Sequence, residues 1–290
     1  MDDLFRLPYP EGVRLVAYAD DATVLIESNS RAGIEASASC ALGLIKEWGT
    51  RNRLSFSPSK SCSMILKGKL PGRPPTIRLG GEPVRGVRSA RILGVVLDSS
   101  QSFLEHAQSI SEKAGAAFGK MSRVSASAWG VRYRALKHLY RGTFAAITTY
   151  AAGCWWRRAS AFVVRRALLS KQRTALILLT KAYRSVSTAA LPVLAGVLPA
   201  DLAVALAGRV DDIRNLDRDE FRARRSEISR EIHREWQQRW SSETKGRELH
   251  RFFPDVGERL RATWVEPDYQ DPEAVRPIGQ GLRGLQSRVQ

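Results

Sequence analysis

Cysteine is scarce in this sequence. Cys40, Cys62 and Cys154 stand far apart and form no C-x-x-C pair. Three isolated thiols, an odd number, argue against a disulfide framework and fit a reducing compartment. The four histidines, His106, His138, His233 and His250, follow no metal-ligand spacing, so no zinc knuckle is legible. Long apolar runs are missing too. The uncharged run from Gly142 to Trp156 contains three threonines and falls short of the roughly 20 apolar residues a membrane span needs. The opening Met-Asp-Asp-Leu is not that of a signal peptide. The expectation is a soluble chain with no membrane segment and no internal repeat.

The absence with the largest consequence is of acid. From Lys113 to Ala200 there is no Asp or Glu. The same stretch holds fifteen Lys and Arg, the last at Arg184. The whole chain of 290 residues carries 46 basic against 29 acidic residues, a net charge of +17. Outside the block the count is 31 against 29, nearly neutral. A one-sign block of this length points to a polyanionic partner, and nucleic acid is the commonest one. An acidic membrane surface is the competing partner, and a generally basic soluble protein is the plain alternative. The hydrophobic fraction of 43% and the length allow one large domain or two smaller ones.

Along the chain, Val13 to Ala17 and Ala22 to Ile26 are apolar runs hinged at Asp20-Asp21, a hairpin signal. Ile34, Ala38, Ala41, Leu42, Ile45 and Trp48 recur at helical spacing, with Gly49 as the expected stop. Ser61 to Leu66 and Ile77 to Leu79 read as short strands around a Gly/Pro-rich loop, and Arg91 to Asp98 as a further strand around Gly94. The pattern then turns helical. One apolar stripe runs from Phe103 to Val124, a second from Leu136 to Ile147 and a third from Val164 to Ala182. Arg134, Lys137 and Arg141 form a basic line beside the second stripe. Ser187-Thr188 can cap a short helix ending near Gly196. From Asp211 to Arg239 both signs of charge mix, as on an exposed helix. The polar tail after Pro267 reads as disordered. The expected boundary lies near residue 100.

Tyr18-Ala19-Asp20-Asp21 sits at the tip of the expected hairpin. Nucleotidyl transfer uses two divalent ions about 4 Å apart, one activating the attacking 3′ oxygen and one neutralising the leaving pyrophosphate. Hard oxygen ligands suit magnesium. A tight turn between two buried strands would hold a carboxylate rigidly at a cleft. Aspartate is also a favoured turn residue, so the tetrapeptide alone leaves a bare turn equally open. Trp155-Trp156 beside Arg157-Arg158 could stack on bases, with core packing the competing role for at least one of the two.

The context resembles a family. Val13 to Ile26, VRLVAYADDATVLI, resembles the reverse transcriptase palm motif that carries Tyr-x-Asp-Asp. Leu54 to Leu66, LSFSPSKSCSMIL, resembles the next palm element, with Lys60 at the family's lysine. Arg91 to Asp98, RILGVVLD, resembles the hydrophobic hairpin that grips the primer end. Ala182 to Pro199, and Trp236 to Pro254 with Trp240, Gly246, Phe252 and Phe253, resemble the thumb and post-thumb of insect non-LTR retrotransposon polyproteins, of the clade inserting into ribosomal DNA. The likeness covers most of residues 1–260.

The resemblance implies an α+β fold: a partial palm over 1–98 with a small antiparallel sheet, a basic all-α thumb over 99–210, a charged helical post-thumb region over 211–266 and a tail over 267–290. It implies RNA-directed DNA polymerase chemistry, with an RNA template, a DNA primer and deoxynucleoside triphosphates as partners and two Mg2+ ions as cofactors. Asp20 and Asp21 would bind metal. Lys60 would act near the leaving pyrophosphate by charge or as a proton donor. Leu93 and Gly94 would form the primer grip, with Gly94 admitting the primer backbone. Arg134, Lys137, Arg141, Arg157, Arg158, Arg165 and Arg166 would meet phosphate. A nuclear location follows from the family. In the family a further metal-binding aspartate comes from an upstream strand that this sequence does not include, so the chain alone is expected not to polymerise. A non-enzymatic nucleic-acid-binding remnant is the alternative.

Overall fold

The computed structural model describes residues 2–68, 73–128 and 133–261, the side chains of 123–128 excepted. The tail after Pro267 and the middle of the Gly/Pro loop lie outside the described residues. The described chain divides after Ser102 into two compact units. The fold is mixed α/β, with every strand in the first unit and most of the helix in the second.

The first unit opens with the short helix α1 (Asp2–Phe5), followed by β1 (Val13–Tyr18) and β2 (Asp21–Ile26). These strands pair antiparallel, Val13 opposite Ile26 and Tyr18 opposite Asp21. Leu15 and Val24 pack onto a small core of Leu4, Ile45 and Trp48, the last two on helix α2 (Arg31–Arg51). The other face of the hairpin is open, with Val16 56% and Leu25 42% exposed. The expectation of two buried strands is therefore corrected. Each sheet among the described residues has only two strands, so β1 and β2 are covered on one side alone. Gly49 does not stop α2 as expected. Asn52 does, its Nδ2 donating to the Trp48 carbonyl at 2.8 Å. Gly49 instead lets the chain fold back, since a Cβ there would lie 2.8 Å from the Leu54 oxygen.

The strands β3 (Cys62–Ser63), β4 (Arg78–Leu79), β5 (Glu82–Pro83) and β6 (Arg85–Gly86) are two residues each. They form the antiparallel pair β4–β5 and the parallel pair β3–β6. The strands expected from Ser61 to Leu66 and Ile77 to Leu79 are thus much shorter, because each partner segment turns away after two residues. The strand expected from Arg91 to Asp98 is a hairpin, β7 (Ser89–Ile92) and β8 (Val95–Asp98). Its turn is Leu93-Gly94, both at left-handed φ, 46° and 83°, the pattern of a two-residue type I′ turn. Buried Asp98 closes the segment by accepting from the backbone N–H of Ser100 at 3.1 Å and of Ser102 at 3.0 Å.

The second unit is helical: α3 (Leu104–Ala128), α4 (Tyr133–Tyr140), a π turn (Arg141–Ala145), α5 (Ala146–Thr148), α6 (Ala152–Ala159), α7 (Phe162–Thr180), α8 (Ala190–Ala195), α9 (Ala200–Asp211), α10 (Arg218–Ser242), α11 (Arg247–Phe252) and α12 (Val256–Arg261). The three apolar stripes become α3, the α4–π–α5 segment and α7. They bury Ala107, Ala114 and Phe118, then Tyr140 and Phe144, then Leu168 and Leu176 in one core. Tyr140 stacks on Phe144 at 5.2 Å between ring centroids and meets the Phe118 ring edge-on at 5.7 Å. Gln172 of α7 lies in this core with both ends of its amide engaged. Its Nε2 donates to Tyr140 Oη at 2.9 Å and to the Leu198 oxygen at 2.8 Å, while Oε1 accepts from Ala200 N–H at 2.8 Å.

A second core joins α8 and α9 to the C-terminal helices through Val193, Leu202, Ile228, Ile232, Trp236 and Trp240. The expectation that 211–239 is a simply exposed helix is corrected here. The helix α10 buries Ile228, Ile232, Trp236 and Trp240, one residue every fourth position, and this stripe is hidden in sequence by dense charge on the rest of the helix. Trp240 Nε1 donates to the Phe253 oxygen at 2.8 Å. Buried Asp201 at the start of α9 pairs with Arg239 of α10 at 2.5 Å.

Replacing Gln172 with Leu keeps the volume but strands three buried polar groups. At roughly 1 kcal/mol or more for each group left unsatisfied, the unfolding free energy should fall by about 2–4 kcal/mol. Urea denaturation followed by circular dichroism checks this, and an unchanged midpoint would contradict the role given to the amide.

Candidate catalytic hairpin and basic surfaces

The β1–β2 hairpin places Ala19 and Asp20 in its two-residue turn, with Asp21 the first residue of β2. The hinge is therefore Ala19-Asp20, one residue earlier than the sequence suggested. Ala19 adopts φ 52°, a left-handed conformation that costs a residue with a Cβ about 1–2 kcal/mol. Tyr18, Asp20 and Asp21 are all exposed at this tip. Both carboxylates offer hard oxygen donors. Among the described residues no group of three or more His, Cys, Asp or Glu is placed to hold a metal ion. The pair is the right chemistry for magnesium but too few donors for two ions, so it does not form a complete site by itself.

Lys60 is exposed on the turn leading into β3, where Ser61 Oγ donates to the Ser57 oxygen at 2.8 Å. Leu93 and Gly94 form the tip of the other hairpin, in a sheet separate from that of the aspartates. Leu93 is 46% exposed despite its left-handed φ. Left-handed φ at residues with a Cβ occurs at both hairpin tips and also at Arg53, Gln101, Phe103, Ala151 and Lys181.

The basic block separates into cations that hold the fold and cations that face outward. Arg134, Arg141, Arg158 and Arg166 are exposed, and Arg165 is half-buried. Arg157 is exposed but ties α6 to the end of α9, donating to Asp212 at 3.2 Å and lying over the Trp156 ring at 4.8 Å. Arg173 is a loop anchor, donating to the carbonyls of Val186 and Arg184. The two tryptophans pack rather than stand out. Trp155 is buried, its Nε1 donating to the Tyr150 oxygen at 3.2 Å. Trp156 lies so close to Gly208 of α9 that a Cβ there would overlap its side chain.

Lys137 also turns inward. It is half-buried, 5.9 Å from the Tyr133 ring centroid, beside Gly196 and Arg259. Arg259 is itself buried and donates to the Leu194 oxygen at 2.6 Å. Burial above all, and then the charges of Arg141 and Arg259, lower the Lys137 ammonium from 10.5 to about 8.

An open groove of about 740 Å3, which the order of residues did not suggest, runs between α10 and the start of α12 with four arginines on its walls. A helical wheel of α10, in place of a run of mixed charge, carries the signal for it. Among the described residues no helix is long and apolar enough to cross a membrane.

The chain is similar to curated proteins of insect transposable elements. It is 33% identical over 261 residues to the putative 115 kDa protein in type-1 retrotransposable element R1DM of Drosophila melanogaster, covering 84% of this chain and 25% of that protein. It is 32% identical over 271 residues to the Retrovirus-related Pol polyprotein from type-1 retrotransposable element R1 of Nasonia vitripennis, covering 88% of this chain and 80% of that protein. The corresponding Pol polyprotein of Bradysia coprophila is 32% identical over 275 residues, with 88% of this chain covering 27% of it. No family model matches, and no solved structure matches.

The folded pKa of Lys137 lies below its unfolded value, so between pH 8 and 10.5 the unfolded chain binds more protons. Stability then rises with pH through that window, and the destabilisation is fully present below it. The urea midpoint should rise between pH 7.5 and 9.5. Lys137→Met should be more stable than the natural chain at pH 7.5 and should lose the rise. A rise that persists in the variant would assign it to another group.

Proposed function

The chain belongs to the Pol polyprotein family of R1 non-LTR retrotransposable elements, and we propose that it is the palm and thumb part of that family's RNA-directed DNA polymerase. The observation that carries this reading is the two-residue hairpin with Asp20 at its tip and Asp21 beginning the next strand. A palm needs carboxylates held by a tight turn at an open surface, and this hairpin has that form. Asp20 and Asp21 would supply part of the magnesium shell, and further ligands would come from outside the described residues. The hairpin tip at Leu93-Gly94 would meet the primer, and Lys60 would serve the pyrophosphate side.

Four exposed members of the basic block, Arg134, Arg141, Arg158 and Arg166, would hold the template–primer duplex by phosphate contacts without reading sequence, joined by half-buried Arg165 and by Arg157 where its pairing with Asp212 leaves it free to reach. Lys137, half-buried beside Arg259, is not retained among them. RNA template, DNA primer and deoxynucleoside triphosphates are the proposed partners, and the nucleus is the proposed location. A second reading, nucleic-acid binding without polymerisation, draws on the absence of a three-ligand cluster among the described residues. It applies to the 290-residue chain alone.

In the longer polyprotein, Asp20→Asn or Asp21→Asn should lower primer extension on an RNA template by orders of magnitude with little loss of template binding. The 290-residue chain alone should extend no primer with magnesium or manganese. Parental extension rates in both variants would remove the metal assignment. For the block, replacing Arg134, Arg141 and Arg166 with Gln should flatten the log–log salt dependence of duplex binding by up to about three units, near one for each phosphate that is no longer neutralised. An unchanged slope would mean that duplex lies elsewhere.

A further inference from the structure

The helix α10 sorts its charge by face. With 3.6 residues per turn, Arg222, Ser226, Arg230 and Arg234 fall within about 120° of its circumference, with Ser229 about 20° and Arg225 about 60° beyond the Arg222 edge of that arc. Glu227, Glu231 and Glu235 form a separate row, four residues apart. That acidic row is neutralised locally: Glu227 by Arg224, Glu231 by Arg209 of α9, and Glu235 by Arg239 at 2.6 Å. Arg209 holds the Glu231 carboxyl below its ordinary range. The arginine row is less closely matched: Arg234 acts on Glu231 through its charge alone. Among the described residues Arg225, Arg230 and Arg234 have no ion-pair partner, and Arg222 meets only Asp219, at 3.6 Å on the exposed first turn.

The groove beside this row is built rather than incidental. Gln237 of α10 donates to the Pro254 oxygen at 2.8 Å and accepts from Val256 N–H at 2.8 Å, which pins the opposite wall. The one carboxylate on that wall, Asp255, accepts from Glu258 N–H at 2.8 Å as the cap of α12. Below the row, Ile228, Ile232 and Trp236 are fixed in the core, so the arginines stand on a rigid helix. Arg222, Arg225, Arg230 and Arg234 follow one another at intervals of about 4.5, 7.5 and 6 Å along the axis, at 1.5 Å rise per residue. A row of that kind suits a chain of phosphates rather than a single anion. A single row suits one strand, and among the described residues no Phe, Tyr or Trp lines the groove, so the contacts it offers are to phosphate and not to bases.

We propose that the α10–α12 groove binds the phosphate backbone of a single nucleic-acid strand, with little base preference, as a site separate from the basic block. Arg222, Arg225, Arg230 and Arg234 contact phosphates, and the hydroxyls of Ser226 and Ser229 donate to phosphate oxygens.

Binding of the full chain to a fluorescein-labelled 30-nucleotide single-stranded RNA, read by anisotropy, tests this. Arg222→Gln/Arg230→Gln/Arg234→Gln should weaken binding about tenfold and flatten the salt slope by up to about two units, near 0.7 per phosphate on a single strand. The charge-matched control Arg51→Gln/Arg53→Gln/Arg85→Gln should change neither quantity, and circular dichroism should show all variants folded. Crosslinking the natural chain to a 4-thiouridine oligonucleotide should label residues 218–242, an independent readout. Equal losses in triple variant and control would reduce the effect to net charge and overturn the site. So would an unchanged slope, or binding to anionic lipid vesicles but not to RNA. If the basic-block variants lose duplex binding while the α10 variant loses nothing, this inference fails and the polymerase reading stands.

Discussion

One buried amide governs how the helical unit closes. Gln172 sits in the core of α7 and joins the Tyr140 hydroxyl, the Leu198 carbonyl and the first N–H of α9. A polar side chain at that depth is tolerated only when every group is satisfied, and the partners here come from two other segments, the end of α4 and the turn into α9. The arrangement sets where α9 begins. From that start α9 brings Gly208 under Trp156 and Asp201 against Arg239. The second core, and with it the rigid seat of α10, follows from the placement of α9. Burial also pushes the Tyr140 hydroxyl pKa up, so it stays protonated at neutral pH.

The positive charge of the chain is not one surface. Part of it is internal structure. Arg173 anchors the 184–188 loop, Arg259 reaches into the core, and Lys137 is held partly deprotonatable beside it. A stretch without acid has to keep its cations solvated, satisfy them with carbonyls, as Arg173 is satisfied, or pair them with carboxylates from outside it, as Arg157 pairs with Asp212. Arg259, beyond that stretch, also takes the carbonyl solution. The remaining exposed arginines are then the electrostatic surface proper. On α10 the problem is solved differently: three glutamates absorb three arginines on one side, which leaves the other side cationic.

The strand-bearing unit depends on turns more than on sheet. Its ladders are two-stranded, and its two long hairpins end in left-handed residues that carry a Cβ, Ala19 and Leu93. A two-residue turn keeps the strands in tight register and lifts its tip away from the core. Both tips are where the family resemblance places contact with nucleotide or primer. The open face with Val16 and Leu25 is the corresponding cost, an exposed apolar surface on a hairpin with a single covered side.

Periodicity and punctuation were readable in the residues alone. The hairpin around Asp20, the helix from Ile34 to Trp48, the three apolar stripes and the stop at Gly196 depend on local spacing, and local spacing is written in the chain. The one-sign block was a count. The family resemblance rested on several ordered motifs and agrees with the retrotransposon relatives. Long-range packing decided the rest. Lys137 sits beside Gly196 and feels the charge of Arg259, more than a hundred residues away, and the packing of Trp156 depends on Gly208. The buried stripe of α10 was masked because four apolar residues among dense charge look like an exposed helix until α8 and α9 lie against them. The sequence by itself determined the local elements and the sign of the charge. Only the tertiary structure decided which cations face solvent, because burial belongs to pairs of distant segments and not to any one of them.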